Sequence, residues 1–411
     1  MVINKISGIF TFLLIFGAIV IPRAYSNIKL IILVFLLVTV LINNYIRSSH
    51  YKKTRILSFY VALALINLSP IVVGYISGNS IIAIEDGLRL GIIFPIIFSV
   101  LWISLIDYKY ENFIDETLRF SAITLFILIS LTIVQSYGLI DIFSTGFIEE
   151  NNLYVGFHDG FIQIVSHNIA SLFFIVGYLL YKFLTNRGVN SNYDKLVLYV
   201  ILFISLISGR RALQYIIITS PILILATAYI FSETNFIFKK LIKIYIFIGV
   251  LIIIFLIYAF SINLISYDSF IGRFADTFAD DKGARISQMY ALFGGFLESP
   301  ILGAGIGSYV GIIRSDFPWN YELTYFQLLF NYGFIATTAL AWLFIREILV
   351  IRYNANTLDY KYDDCTKSIF NGLLFLFLGA ATNPYLSSFE FLIYFGIIPF
   401  AASIPKVKFA K

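Results

Sequence analysis

Long apolar runs dominate this chain and leave it few ways to fold. Runs of roughly the same length recur at 6–22, 28–46, 56–76, 88–106, 117–138, 164–184, 212–231, 241–265, 321–345, 368–386 and 388–404, with a shorter one at 196–209. A bilayer core of ~30 Å takes about 20 apolar residues in helical form. The runs are continuous and do not alternate in polarity, so they predict helices and not barrel strands. The charged fraction is 13%, against roughly 25% in a soluble domain, and mean hydropathy is +0.88. The expected fold is an all-α polytopic membrane protein of about twelve transmembrane helices. The first run follows Lys5, but no A-x-A-like cleavage site follows it and Pro22-Arg23 is a poor junction. It is read as a retained helix. Cys365 is the only cysteine, so no internal disulfide can form.

Charge orients the spans. With a cytoplasmic N-terminus and alternating loops, 20 of the 29 basic residues fall inside, as the positive-inside rule requires, and both termini are cytoplasmic. The layout reads as nine spans over 1–265, a large outside loop at 266–320 and three spans over 321–411. Lysine follows the rule, 14 inside against 2 outside. Arginine breaks it, with 6 inside and 7 outside: Arg23, Arg89, Arg210, Arg211, Arg273, Arg285 and Arg314. An outside arginine opposes the insertion bias, so another role retains it. The guanidinium fork suits bidentate capture of phosphate or carboxylate. Internal pairing is the alternative, as between Glu85 and Arg89 at i,i+4.

The outside loops carry the remaining signals. In 270–281, Phe270, Phe274 and Phe278 recur at helical spacing; in 284–300, so do Ile286, Met289, Tyr290, Phe293, Phe296 and Leu297, before Pro300. Two amphipathic helices are expected, either on the outer membrane surface or packed against the spans. The segment PILGAGIGSY at 300–309 follows no strand and is no dinucleotide fingerprint. Its glycines suit a turn where backbone approaches a helix or a phosphate. Arg210 and Arg211 adjoin one another at the outer junction of two helices, where charge is costly and marks either function or interfacial snorkelling. His158, Asp159 and His167, in or near a second outside loop at 139–163, have poor metal spacing. Asp280-Asp281 fits a solvated acidic turn better than an ion site. The chain has no nucleophile elbow, Walker loop or nucleic-acid signature.

Taken together, four stretches resemble the O-antigen polymerase and ligase superfamily. They are ARISQMYALFGGFLESPILGAGIGSY from 284, NYELTYFQLLFNYGFIA at 320–336, SGRRALQ at 208–214 and SHNIASLFFIVG at 166–177. In the ligases a histidine usually opens the closing helix. Here Glu322 holds that position, which favours polymerase over ligase. The resemblance implies a glycosyltransferase-C-like architecture with a large helical periplasmic loop, in the bacterial inner membrane. It implies a glycosyltransferase that needs neither metal nor cofactor. A growing glycan passes from undecaprenyl diphosphate to a hydroxyl of the next lipid-linked unit, with inversion or retention. Ligation to lipid A core, or flipping of the lipid-linked oligosaccharide, are the alternatives. Implied partners are the lipid-linked oligosaccharide, membrane lipid and a chain-length regulator, with no nucleic acid. The expected catalytic residues are Glu322 as base with Arg211 and Arg285; Arg210, Arg211, Arg273, Arg285 and Arg314 would bind diphosphate. His158, Asp159, His167 and Tyr325 are secondary candidates.

Overall fold

The computed structural model describes the chain except for 1, 47–49, 106–109, 159–160, 186–191, 209, 232–241, 244, 247–248, 251–252, 255–256, 258–260, 262–279, 314–316, 356–359, 382–388 and 404–411. Its helices are α1 (Val2–Val20), α2 (Ser26–Ile46), α3 (His50–Ile76), α4 (Ile81–Leu88), α5 (Phe94–Leu105), α6 (Tyr110–Ser136), α7 (Thr145–Asn151), α8 (Ala170–Thr185), α9 (Asn192–Ile207), α10 (Arg211–Ile230), α11 (Asp280–Glu298), α12 (Thr324–Ala355), α13 (Tyr360–Ala380) and α14 (Phe389–Ala402). Among the described residues five stretches are long and apolar enough to cross a membrane: Lys53–Ile76, Ile81–Leu105, Phe113–Ser136, Ala212–Ile230 and Thr324–Asn354. Shorter apolar helices lie at Ile6–Val20, Ser26–Ile42, Ala170–Leu184 and Ile393–Ala402. The predicted span at 241–265 and the predicted amphipathic helix at 270–281 fall largely outside the described residues. The fold is a helical membrane protein with one small departure. An antiparallel hairpin, β1 (Tyr154–His158) and β2 (Phe161–Val165), lies between α7 and α8. Its signal was present in the sequence: Asp159-Gly160 is a favoured two-residue hairpin connection.

The chain divides into two compact units that interleave in sequence. The first comprises Met1–Thr117, Arg285–Thr366 and Ala380–Lys411; the second comprises Leu118–Ala284 and Lys367–Gly379. In the first, α3 packs against α5, α12 and α14. Phe344 of α12 meets Phe59 of α3 and Phe395 of α14 at ring separations of 5.8 and 5.2 Å. At the same interface, Glu347 is buried between two guanidiniums. Arg55 donates from Nε and Nη2 to Oε2 at 3.0 and 2.8 Å, and Arg346 donates to Oε1 at 3.0 and 2.6 Å. A buried carboxylate without such partners would be costly, so removing either arginine exposes the helix pair to that cost.

In the second unit α8 packs against α9 and α10. Buried Asn371 donates from Nδ2 to the Gly177 carbonyl at 2.7 Å and accepts from Thr227 Oγ1 at 3.0 Å. Without water, a buried amide must be satisfied by neighbouring segments, and here three are tied by one side chain.

Candidate functional site

One helix of the first unit, α12, is broken, and the glycine-rich segment docks at the break and on α3. Within α12, Gly333 adopts φ 65°, ψ −174°, which interrupts the helix. The main-chain groups around this break are met by residues 300–305. Ala304 N donates to Phe330 O at 2.8 Å, Gly305 N to Asn331 O at 3.1 Å, and Phe334 N to Pro300 O at 2.8 Å. Ile306 N reaches Pro70 O in α3. Gly303 (φ 76°) lies against Gly333, and Gly305 against Gly74; a Cβ on either would collide with backbone. Of the two uses expected for these glycines, the structure displays close approach to helices. Asn331, Tyr332 and Gly333 interrupt the apolar run at the break. Asn79 secures the loop from the other side, donating to the Ala304 and Ile306 carbonyls at 3.0 and 3.1 Å.

The docked loop fixes the segment leading into α12. Tyr321, buried, accepts from Val310 N at 2.9 Å and donates to Ser308 O at 3.4 Å. Burial pushes its hydroxyl up to about 12, while the Val310 amide bond acts the other way. Glu322 lies two residues before the first residue of α12, not on the helix itself as its role in opening that helix suggested. There its Oε2 accepts from Arg285 Nε at 3.0 Å. Leu323 N donates to Gln288 Oε1 at 3.4 Å, so α11 supplies a partner for an amide at the start of α12. Three consecutive residues are therefore each held by a different group. Arg285 and Glu322 side chains are 38% and 31% exposed, so the pair adds little to stability and stays within reach of a ligand. Gln288, fully buried one turn beyond Arg285, has no described partner for Nε2.

Helix α11 ends just before Pro300, as its sequence predicts, but it buries an unexpected face. Gln288 and Leu292 point inward, and Leu292 joins Tyr321 and Phe330 in a small apolar core. Ile286, Tyr290, Phe293 and Leu297 are exposed. A helix that buries glutamine and exposes aromatics suits a lipid surface and not an aqueous one.

In the second unit, Arg210 precedes α10 and its N–H donates to Ser208 Oγ at 3.3 Å. The Ser208 carbonyl accepts from Ile164 N of β2 at 3.1 Å, which ties the hairpin to the arginine motif. Arg210 Nε is buried with no hydrogen-bond partner among the described residues. Arg211 begins α10, His158 ends β1 and His167 starts a short 3₁₀ turn at His167–Ile169. Arg273, Arg314 and Asp159 lie outside the described residues. Tyr325 sits in the first turn of α12, partly exposed. Asp280 and Asp281 are the first two residues of α11. Arg89 pairs with Glu85 and Asp86 at 3.9 and 3.7 Å on an exposed face. Among the described residues no three His, Cys, Asp or Glu side chains converge as a metal site. Among the expected site residues whose side chains are described, Arg285 and Glu322 form an assembled pair, and Arg210 has a buried Nε without a hydrogen-bond partner among the described residues. Gln288 and Tyr321 were not legible as site residues, because glutamine and tyrosine in an aromatic stretch read as ordinary helix surface.

No family model matches the chain, and no curated protein matches it.

Proposed function

We propose that the chain is an inner-membrane glycosyltransferase of the O-antigen polymerase type, with about twelve spans and both termini cytoplasmic. It elongates a glycan carried on undecaprenyl diphosphate at the periplasmic face. The observation that carries this reading is the Arg285–Glu322 pair: a fork-shaped cation and a carboxylate set 3.0 Å apart, partly exposed, beside a lipid-facing helix. The reaction needs one group of each kind. The acceptor hydroxyl attacks the anomeric carbon of the donor glycan and the C1–O bond to diphosphate breaks. The bonding electrons leave with the diphosphate, and the hydroxyl proton passes to a carboxylate. Arg285 is suited to the leaving diphosphate, whose charge is hardest to accommodate near lipid. Glu322 is suited to the proton. Arg210 and Arg211 are further diphosphate ligands on this reading. The donor is already activated, so the chain's own residues suffice for the chemistry.

Deleting the gene from its host strain and resolving the lipopolysaccharide on a gel tests the reading. A ladder that collapses to one repeat per core, and returns on complementation, is the expected result. An unchanged ladder would remove the polymerase reading, and loss of the first repeat as well would point to ligation.

A further inference from the structure

We infer that a groove between α11 and the loop at 299–310 is the subsite for the sugar chain of the substrate. This rests on the glycosyltransferase reading and divides its substrate between two places. The groove encloses ≈ 910 Å³, at the upper end of the ~300–1,000 Å³ of small-molecule sites. Its walls include Ala291, Gly294, Gly295 and Glu298 from α11, Tyr309 from the loop and Asn79 after α3.

Three properties select a neutral, hydroxyl-rich chain. Among the described residues no lysine or arginine lines the groove, and the charged side chain among them is the carboxylate of Glu298. That composition repels diphosphate and accepts hydrogen bonds from hydroxyls. Tyr309 is exposed at the rim, an apolar ring with a polar tip, suited to the face of a pyranose. The floor is also left open by design of the helix. A Cβ at Gly294 would meet nothing within 4 Å, whereas one at neighbouring Gly295 would strike Phe330. Gly295 serves packing and Gly294 leaves space.

The groove is rigid and tied to the charged pair. The Tyr321 hydroxyl bonds the main chain on both sides of Tyr309, at Ser308 and Val310, while adjoining Glu322 grips Arg285. Ala291 lies six residues beyond Arg285 on α11, about 9 Å along the helix axis. A glycan in the groove would therefore approach the pair along one helix.

The test uses the full chain in lipid nanodiscs and soluble oligosaccharides released from the host strain's own surface polysaccharide, free of lipid and phosphate. Binding is followed by saturation-transfer NMR, and folding by thermal melting. The wild type should bind, Gly294→Ala should bind nearly as well, and Gly294→Leu should bind at least tenfold more weakly with an unchanged melt. Should Gly294→Leu fold poorly, Tyr309→Ala carries the test with the same expected loss. Equal binding by wild type and a folded Gly294→Leu or Tyr309→Ala variant overturns the assignment, as does a wild type that binds no glycan. Selective loss of binding, in a protein that elongates nothing, would uphold the groove and sink the enzyme reading.

Discussion

Arg285 carries two properties that lysine cannot reproduce together: a fork for bidentate contact and an Nε that holds Glu322. Arg285→Lys should accumulate normally in the membrane and lose most polymer, seen as a shortened ladder on a gel. Full-length polymer from this variant would reduce the residue to a simple cation. Tyr321 makes a separable contribution. Its pKa is raised from the ordinary 10 to about 12, so the folded state favours the neutral hydroxyl. That stability is fully present below pH 10 and is lost as pH rises through 10 to 12. Tyr321→Phe leaves the Val310 amide without its partner, which costs about 1–3 kcal/mol. Its melting temperature at pH 8 should fall, and its stability should lack the hydroxyl's share of the alkaline loss. An alkaline profile identical to the wild type would show that the hydroxyl is not what holds the loop. At this scale the sequence disclosed which charged residues to examine. It could not disclose that residues 321, 322 and 323 are each pinned by a different partner, since those contacts span 11 to 37 positions.

The broken helix α12 and the glycine-rich loop form one unit of structure. Helices at membrane depth tolerate a break only where other backbone groups satisfy the freed amides and carbonyls, and residues 300–306 do this here. Two glycines separate conformation from packing. Gly303 and Gly311 both have positive φ, but only at Gly303 would a Cβ collide with backbone; at Gly311 it meets nothing within 4 Å. Gly311→Ala should cost the conformational strain alone, about 1–2 kcal/mol. Gly303→Ala should cost about 3 kcal/mol or more, because the loop must also retreat from Gly333. Thermal melting of the purified variants checks this, and equal shifts would mean that the docking adds nothing. The glycine spacing and the helix before Pro300 were legible as local chemistry. The partner of those glycines was not, because the contacts of Gly303 with Gly333 and of Gly305 with Gly74 join segments far apart in sequence.

Across the whole molecule, most described helices fall on the apolar runs, and five stretches among the described residues are long and apolar enough to cross a membrane. The runs could not reveal that the chain forms two interleaved units, since α6 and α13 each pass from one to the other. The arginine asymmetry pointed to anionic chemistry on one side, and the structure assembles one member of that set with a carboxylate. The account therefore turns on Glu322 accepting a proton, and purified enzyme measures this most directly. Wild type and Glu322→Gln, reconstituted with lipid-linked repeat units, are compared for single-turnover glycan elongation, with folding verified by melting. Glutamine keeps the shape and a hydrogen-bonding oxygen for Arg285 but cannot take the proton. The rate should fall by ~10²–10⁴-fold, the usual worth of general-base catalysis. A well-folded Glu322→Gln enzyme that elongates glycan at the wild-type rate would contradict the account.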